Sequence, residues 1–584
     1  MRWDLTSLAP PPDGPAVAAR ARGCAERWRG RVASLTPRDL ARLLRDLGEA
    51  RAGLLHLVAY AALHQALDVY GEKGAQLALE ADEVTDTVDR ALRFFDTEWQ
   101  ALPEARAERL LGATGLATYR HLLRTARQAS AVRLPERDEA LLAAREPLAQ
   151  AWGLLHDRLL APYDEALYGI AHPDPAVRRT AYTTLAEGLE PHAATLALAY
   201  DTLVADRLAT DGLRGVRHPR ALSDLDHQLD PATVDHMLAE TERHSPLAER
   251  WFRHKAHRLD VRVLAPWDER APLTAPPGGP IELPEAIEII CAAFARVSPE
   301  MARVARRVVA EGRIDTVARP GRVSRAFSLP VPSERTCFVL VSYEGRPADV
   351  LDLAHELGHA VAFVLAAEEQ PALVYDAPTA LSEVPACFAE LAVLDRLMAD
   401  RNPRRAEAAA ELWLDRCVTT VFRQALITSF EQATYELRGR GRVLDAAALG
   451  DLWETAHRAT YGTSLAPGAL HRLGWMRIPH LFQGRFYNYA YTFAWLAAVG
   501  LHARRRTAPA SFGADFTAFL RAGGTEPPHL QLARLGLRID APASWRAAFA
   551  EIRLRLDALT APGRPDGGRP LPHPSPDSSD RSPA

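Results

Sequence analysis

Lysine is almost missing from these 584 residues: Lys73 and Lys255 stand alone among 70 basic residues, and the rest are arginine. With abundant Ala, Leu and Pro, this bias reads as the mark of a GC-rich coding sequence, not of a function. No excess of one charge sign is present either. A formal net charge of -4 and a pI near 6.6 argue against a nucleic acid or an anionic membrane as the main partner. Cysteine is scarce: Cys24, Cys291, Cys337, Cys387 and Cys417 are odd in number, widely spaced and without a CxxC pair. That excludes a disulfide framework and fits free, buried thiols in a reducing compartment. No run of 18 apolar residues suggests a membrane span. The residues leading into Pro10-Pro11-Pro12 lack the apolar core of a secretory signal. The expectation is a cytoplasmic protein with no nucleic-acid and no membrane partner. No repeat of fixed period stands out.

What is present is mostly helical pattern. Composition is 48% hydrophobic and 25% charged, normal for a globular chain long enough for two or three lobes. Leu40, Leu43, Leu44 and Leu47, then Leu54, Leu55, Val58, Ala61 and Leu63, recur at the spacing of amphipathic helices. Between Leu264 and Leu283 a Pro/Gly-rich stretch (Ala275 to Pro280) reads as a loop. The convincing β signal is Thr336 to Tyr343, ended by Glu344-Gly345. Its Phe338, Val339, Leu340, Val341 and Ser342 offer either an open edge for an extended peptide or a strand that closes a small core sheet. The chain divides into an N-terminal helical region (1–180), a catalytic region (181–560) and a Pro/Ser-rich tail (561–584) expected to be disordered.

The chemistry starts at His355-Glu356-Leu357-Gly358-His359. On a helix, two histidines four residues apart project from one face and can meet one Zn²⁺, with Glu356 beside them as a base. Such a pentapeptide arises by chance in roughly a few chains per hundred, so its surroundings must support it. They do. Val350 to Ala354 and Ala360 to Leu365 are mostly apolar and proline-free, a buried helix in which unmetallated imidazoles and a carboxylate would be costly. A zinc hydrolase needs a third ligand and an open position. Between His359 and Glu383, in Ser382-Glu383-Val384-Pro385, lie 23 residues, room to end one helix and bring a second alongside. Ser382 is expected to cap that second helix, with Pro385 in its first turn. Glu390, two turns on, and Asp352 are expected to orient the ligands from behind.

With these residues the chain resembles the oligoendopeptidase F branch of the thimet oligopeptidase family of zinc metallopeptidases. HELGH followed by SEVPACFAE carries the resemblance. Trp3-Asp4-Leu5, Phe94 to Trp99, Ala265-Pro266-Trp267-Asp268 and Pro320 to Ser328 are similar to family segments in the expected order. The resemblance implies a mainly α fold, two helical lobes around a deep channel, with a small β-sheet next to the zinc helix. It implies one Zn²⁺ per chain on His355, His359 and Glu383, with Glu356 as general base on a water at the zinc. It also implies a downstream His/Tyr segment that stabilises the oxyanion. Here that segment is His480 with Tyr487, Tyr489 and Tyr491, the order of preference being Tyr489, Tyr491, Tyr487. Ala362, where relatives often carry histidine, and Arg325, in place of a usual glycine, depart from the pattern; they bear on subsite shape.

The expected function is a zinc oligoendopeptidase that cuts internal bonds of short unstructured peptides. The alternatives are a zinc carboxypeptidase or aminopeptidase, with Arg325 or Arg485 as a carboxylate clamp, and a metal-bearing peptide-binding protein without catalysis. The intact Glu356 speaks against the last, because a structural site has no use for a base. The sequence leaves the oligomeric state open.

Overall fold

A computed structural model describes residues 1–273, 279–323 and 325–561. The expected tail, apart from Ala561, and most of the Pro/Gly-rich loop lie outside the described residues. The fold is mainly α, 74% helical, with a small three-stranded sheet. One apolar core joins the N-terminal helices from Val17 to Leu123. A larger one begins at Leu160 and runs through the rest of the chain to Leu559.

The sheet has β1 (Ile314–Asp315), β2 (Phe327–Val331) and β3 (Thr336–Leu340), in the order β1-β3-β2. β3 pairs parallel to β1, Val339 opposite Ile314, and antiparallel to β2, Val339 opposite Ser328. The tight return between β2 and β3 passes through Arg335, held in the left-handed region at φ 50°. Trp3 fastens the start of the chain to this sheet. Its indole N–H donates to the carbonyls of Arg313 and Val339, 2.9 Å from each, and its ring packs edge-on against Phe338. This explains why the Trp-Asp-Leu segment belongs to the same unit as residues 300 apart from it.

The metal-motif helix, Pro347–Glu369, starts with proline at its first position, where no N–H is needed. Asp349 closes the start by accepting from the backbone N–H of Arg346 at 3.0 Å. Valine, leucine and alanine surround the helix axis, so it is buried almost all round. By length and hydropathy it would pass as a membrane span, but 67% of that window is buried inside the protein. Between Asp349 and Ala366, away from the helix ends, the partly exposed positions are Asp352, His355, His359, Ala362 and Phe363, one stripe at helical spacing. The face that reaches solvent is therefore the face that carries the imidazoles.

The second site helix, Thr379–Met398, crosses it at Gly358. A Cβ on Gly358 would lie 2.8 Å from Ala386 Cα, 2.8 Å from Ala389 Cβ and 3.0 Å from the Pro385 carbonyl. Glycine in the pentapeptide is thus required by close backbone approach, not by a turn. The helix begins earlier than expected, at Thr379, and Ser382 does not cap it; its hydroxyl bonds back to the Thr379 carbonyl at 3.1 Å. Pro385 sits inside the helix, so the Leu381 carbonyl loses its intrahelical donor beside Glu383. Since the contact atoms are backbone and a short side chain, Gly358→Ala must push the two helices apart. We expect a loss of about 1–3 kcal/mol in unfolding free energy together with weaker metal binding. Denaturant melts and metal titration of the variant check both.

Candidate metal centre

The crossing at Gly358 brings Glu383 over the two histidines. Glu383 Oε2 lies 3.5 Å from His355 Nε2 and 3.6 Å from His359 Nε2. The donor atoms of the three side chains all fall within 4.8 Å of one another. Glu383 Oε2 is buried and has no hydrogen-bond partner, an orphaned acceptor aimed at both imidazoles. Behind His355, Glu390 Oε1 accepts from Nδ1 at 2.8 Å, which leaves Nε2 as the inward-facing lone pair. These residues fit a metal ion. A second grouping, His355 with Cys387 and Glu390, uses the nitrogen already committed to Glu390, and burial pushes the Cys387 thiol well up, against thiolate formation.

Electrostatics point the same way. Burial would raise the Glu383 carboxyl, but His359 and His355 outweigh it and hold it well below the usual carboxylate range. Burial would lower the His355 imidazole, yet its partners Glu383 and Glu390 carry it well above the ordinary value. Carboxylates around imidazoles in a closed pocket favour a cation there. Arg416 joins the outer layer. It pairs with Asp352 and its Nε stands 3.6 Å from Glu390 Oε2, so Asp352 acts on the site through this arginine. The sequence reading missed Arg416, which comes from a helix 60 residues downstream.

Glu356 is buried on the same helix. Ser328 Oγ, on β2, donates to its Oε2 at 2.7 Å. Burial raises the carboxyl, while His355, His359 and the Ser328 hydrogen bond pull it back down. Ser328 lies in the Pro320–Ser328 stretch that carried the resemblance, but its spacing alone gave it no role.

The strand residues require a correction. β3 is the central strand, paired on both sides, and Phe338, Val339 and Leu340 are fully buried. Val341 is buried too, its N–H bound to the Asp315 carbonyl at 3.0 Å, and Ser342 Oγ accepts from Arg322. No open edge is offered there; β2 is the edge strand beside the metal-motif helix. The order of the tyrosines also changes. Tyr489 is fully buried and its hydroxyl donates to Asp224 at 2.8 Å, inside a pair between Asp224 and Arg220. Tyr487 and Tyr491 instead stand with His480. The His480 and Tyr487 rings stack at 4.9 Å, and Tyr491 meets both edge-on at 5.9 and 5.5 Å. Glu383 acts electrostatically on His480, Tyr487 and Tyr491. Burial lowers the His480 imidazole against the pull of Glu383, and burial raises both phenols. Arg485, one of the candidate clamps, is occupied by both oxygens of Asp211 at 2.9 and 2.8 Å.

Residues 293–551 match Peptidase family M3, and residues 98–163 match Oligopeptidase F. Across its catalytic region the chain matches peptidase family M3. The chromosomal oligoendopeptidase F of Lactococcus lactis subsp. cremoris is 24% identical over 384 residues, 66% of this chain and 63% of that protein. The group B oligopeptidase PepB of Streptococcus agalactiae is 25% identical over 391 residues, 66% and 64% respectively. The alignments thus span a little under two thirds of the length of these curated relatives. The fold is shared with Pz peptidase A solved with an inhibitor (TM-score 0.79, 17% identity, 95% of this chain and 100% of that one). It is shared with oligoendopeptidase-F from Enterococcus faecium (TM-score 0.69, 18% identity, 93% and 96%).

The loop between His480 and Tyr487 depends on Glu431, another residue the sequence did not announce. Both its oxygens accept the Phe486 N–H, at 2.9 and 3.0 Å, where Phe486 is held at φ 48°. Burial pushes this carboxyl up from 4.5 to about 7, against the pull of the Phe486 amide and Arg207. A folded value above the unfolded one means its stabilising share is complete below the unfolded pKa and is lost as pH rises through about 7. Glu431→Gln keeps an acceptor for Phe486 and removes the charge. Relative to wild type its stability should improve from pH 5 to pH 8, by at most about 3 kcal/mol, in melts followed across that range. For the metal cluster, Glu390→Gln should lower metal affinity about 10- to 100-fold while the protein stays folded, measured by competition with a chelator.

Proposed function

We propose that this protein is a zinc-dependent oligoendopeptidase that hydrolyses internal bonds of short unstructured peptides. The observation that carries it is the orphaned Glu383 Oε2 facing His355 Nε2 and His359 Nε2, with Glu356 on the same helix and a His/Tyr cluster within the field of Glu383. Family M3 as a whole consists of zinc metallopeptidases. His355, His359 and Glu383 would hold the ion, which when bound supplies a Lewis acid and lowers the pKa of a water. Glu356 takes the proton of the attacking water and passes it to the leaving amine. Its raised pKa suits both halves of that transfer. Ser328 fixes the carboxylate's position. Tyr487, Tyr491 and His480 supply donors for the oxyanion as the carbonyl becomes tetrahedral. All five cysteines are free and buried, which suits a cytoplasmic setting.

The test uses an internally quenched peptide blocked at both ends, with wild type, Glu356→Gln, Tyr491→Phe and Tyr489→Phe. Glu356→Gln should retain zinc and lose at least about a thousandfold in kcat. Tyr491→Phe should lower kcat about 10- to 1000-fold with little change in KM. Tyr489→Phe should instead cost about 1–2 kcal/mol of stability with kcat within a few-fold of wild type. Strict dependence on a free peptide terminus would overturn the endopeptidase assignment, and a Glu356→Gln variant as fast as wild type would overturn the mechanism.

A further inference from the structure

The loop between His480 and Tyr487 is packed from one side. Leu481 and Phe486 are buried in the core, but Gln483 and Arg485 border a cavity of about 470 Å³. Gly153 and Leu154, on the helix Glu136–Leu160, line the same cavity. Atoms that face a void lose packing contacts, so directional bonds must fix this flank of the loop. The helix Ala193–Leu213 supplies two of them from one face, because Arg207 and Asp211 are a turn apart. Arg207 Nη1 donates to the Leu481 carbonyl at 3.2 Å and to the Tyr435 hydroxyl at 3.3 Å. Both oxygens of Asp211 accept from Arg485 Nη1, at 2.9 and 2.8 Å. On the helix Ala221–Asp226, Ser223 Oγ donates to the Arg485 carbonyl at 2.8 Å. His227, just beyond that helix, meets the Tyr487 ring edge-on at 6.2 Å.

The side chains of Arg485 and Asp211 are only 13% and 5% exposed, so water screens the pair little. Removing one partner of such a pair leaves a buried charge without compensation. Arg485 Nη2 is buried with no hydrogen-bond partner, and Glu431, which accepts the Phe486 N–H, lies within the field of both Arg485 and Arg207. Released from Asp211, Arg485 would compete for Glu431 with the amide that fixes Phe486 at φ 48°. The loop would then lose its outer tie and its inner one together.

We propose that Arg207 and Asp211 are positioning residues: from one face of one helix they hold the loop that stacks Tyr487 on His480. The part of that ring cluster in catalysis rests on the peptidase reading above. Neither residue meets the reacting atoms. Each acts through the loop, Arg207 on the Leu481 carbonyl and Asp211 on Arg485. Misplacing oxyanion donors by about 1 Å is enough to cost on the order of a hundredfold in rate.

Two readouts test this: cleavage of the end-blocked quenched peptide, and hydrogen–deuterium exchange of residues 479–491. Asp211→Asn and Arg207→Met are made alone and in a His480→Gln/Tyr487→Phe background. Alone, each should lower kcat about 10- to 100-fold, with KM and metal affinity within about twofold of wild type. In the background that lacks the two ring donors, the same substitution should cost less than about threefold. Exchange over 479–491 should rise about tenfold while the two helices of the metal cluster keep their protection. Ser223→Ala removes one bond to the loop and no charge. It serves if the charge variants do not fold, and should lower kcat about threefold with the same split from KM. An unchanged kcat, or an equal loss in both backgrounds, overturns the positioning role and leaves the peptidase reading intact. If wild type cleaves no peptide, the peptidase reading falls and exchange decides the rest. A rise confined to 479–491 then supports the hold on the loop; unchanged or uniformly raised exchange overturns it.

Discussion

The site hangs on one contact between two helices. At Gly358 the backbone of Thr379–Met398 comes so near that no Cβ fits, and this closeness lets a carboxylate from one helix reach two imidazoles on the other. A wider crossing would leave Glu383 short of the histidines and bury an unmatched charge. The apolar surround of both helices keeps the crossing tight, since each buried Leu or Val contributes roughly 1.5–3 kcal/mol. Polar function is thus supported by packing on three sides and exposed along one stripe.

Around that crossing the charged groups are nested. Glu383 and Glu390 hold His355 from its two nitrogens, Arg416 faces Glu390, and Asp352 pairs with Arg416. Each outer member satisfies a charge that burial would otherwise penalise. The small sheet has a comparable supporting role. Its edge strand supplies Ser328 to Glu356, while its central strand is filled by apolar side chains and by the Trp3 indole. The His480 loop is tied down from beneath by Glu431, which compensates the strained Phe486 backbone with two hydrogen bonds.

Local pattern made the cluster of His355, His359 and Glu383 legible, with Glu356 beside the two histidines on their helix. A four-residue spacing has one geometric meaning on a helix, and Glu383 follows in an apolar helical context. The mainly helical class was legible for the same reason. The tyrosines were not. Tyr487, Tyr489 and Tyr491 alternate along the chain, but the helix that starts at Tyr489 turns its first tyrosine toward Asp224 and its second toward His480. Spacing cannot rank them, because the choice depends on where Arg220 and Asp224 lie. The strand at Phe338 failed similarly: its apolar run fits an edge or a centre, and the pairing with β1 decides for the centre.

The sequence by itself determined the paired histidines, Glu356 and Glu383 as candidates and the helices that carry them, because those depend on neighbours within a turn or two. Tertiary structure decided which groups meet across distance: Ser328 with Glu356, Arg416 with Glu390, and Glu431 with Phe486. Hydrogen bonds and charge pairs act over a few ångströms in space, whatever the separation along the chain.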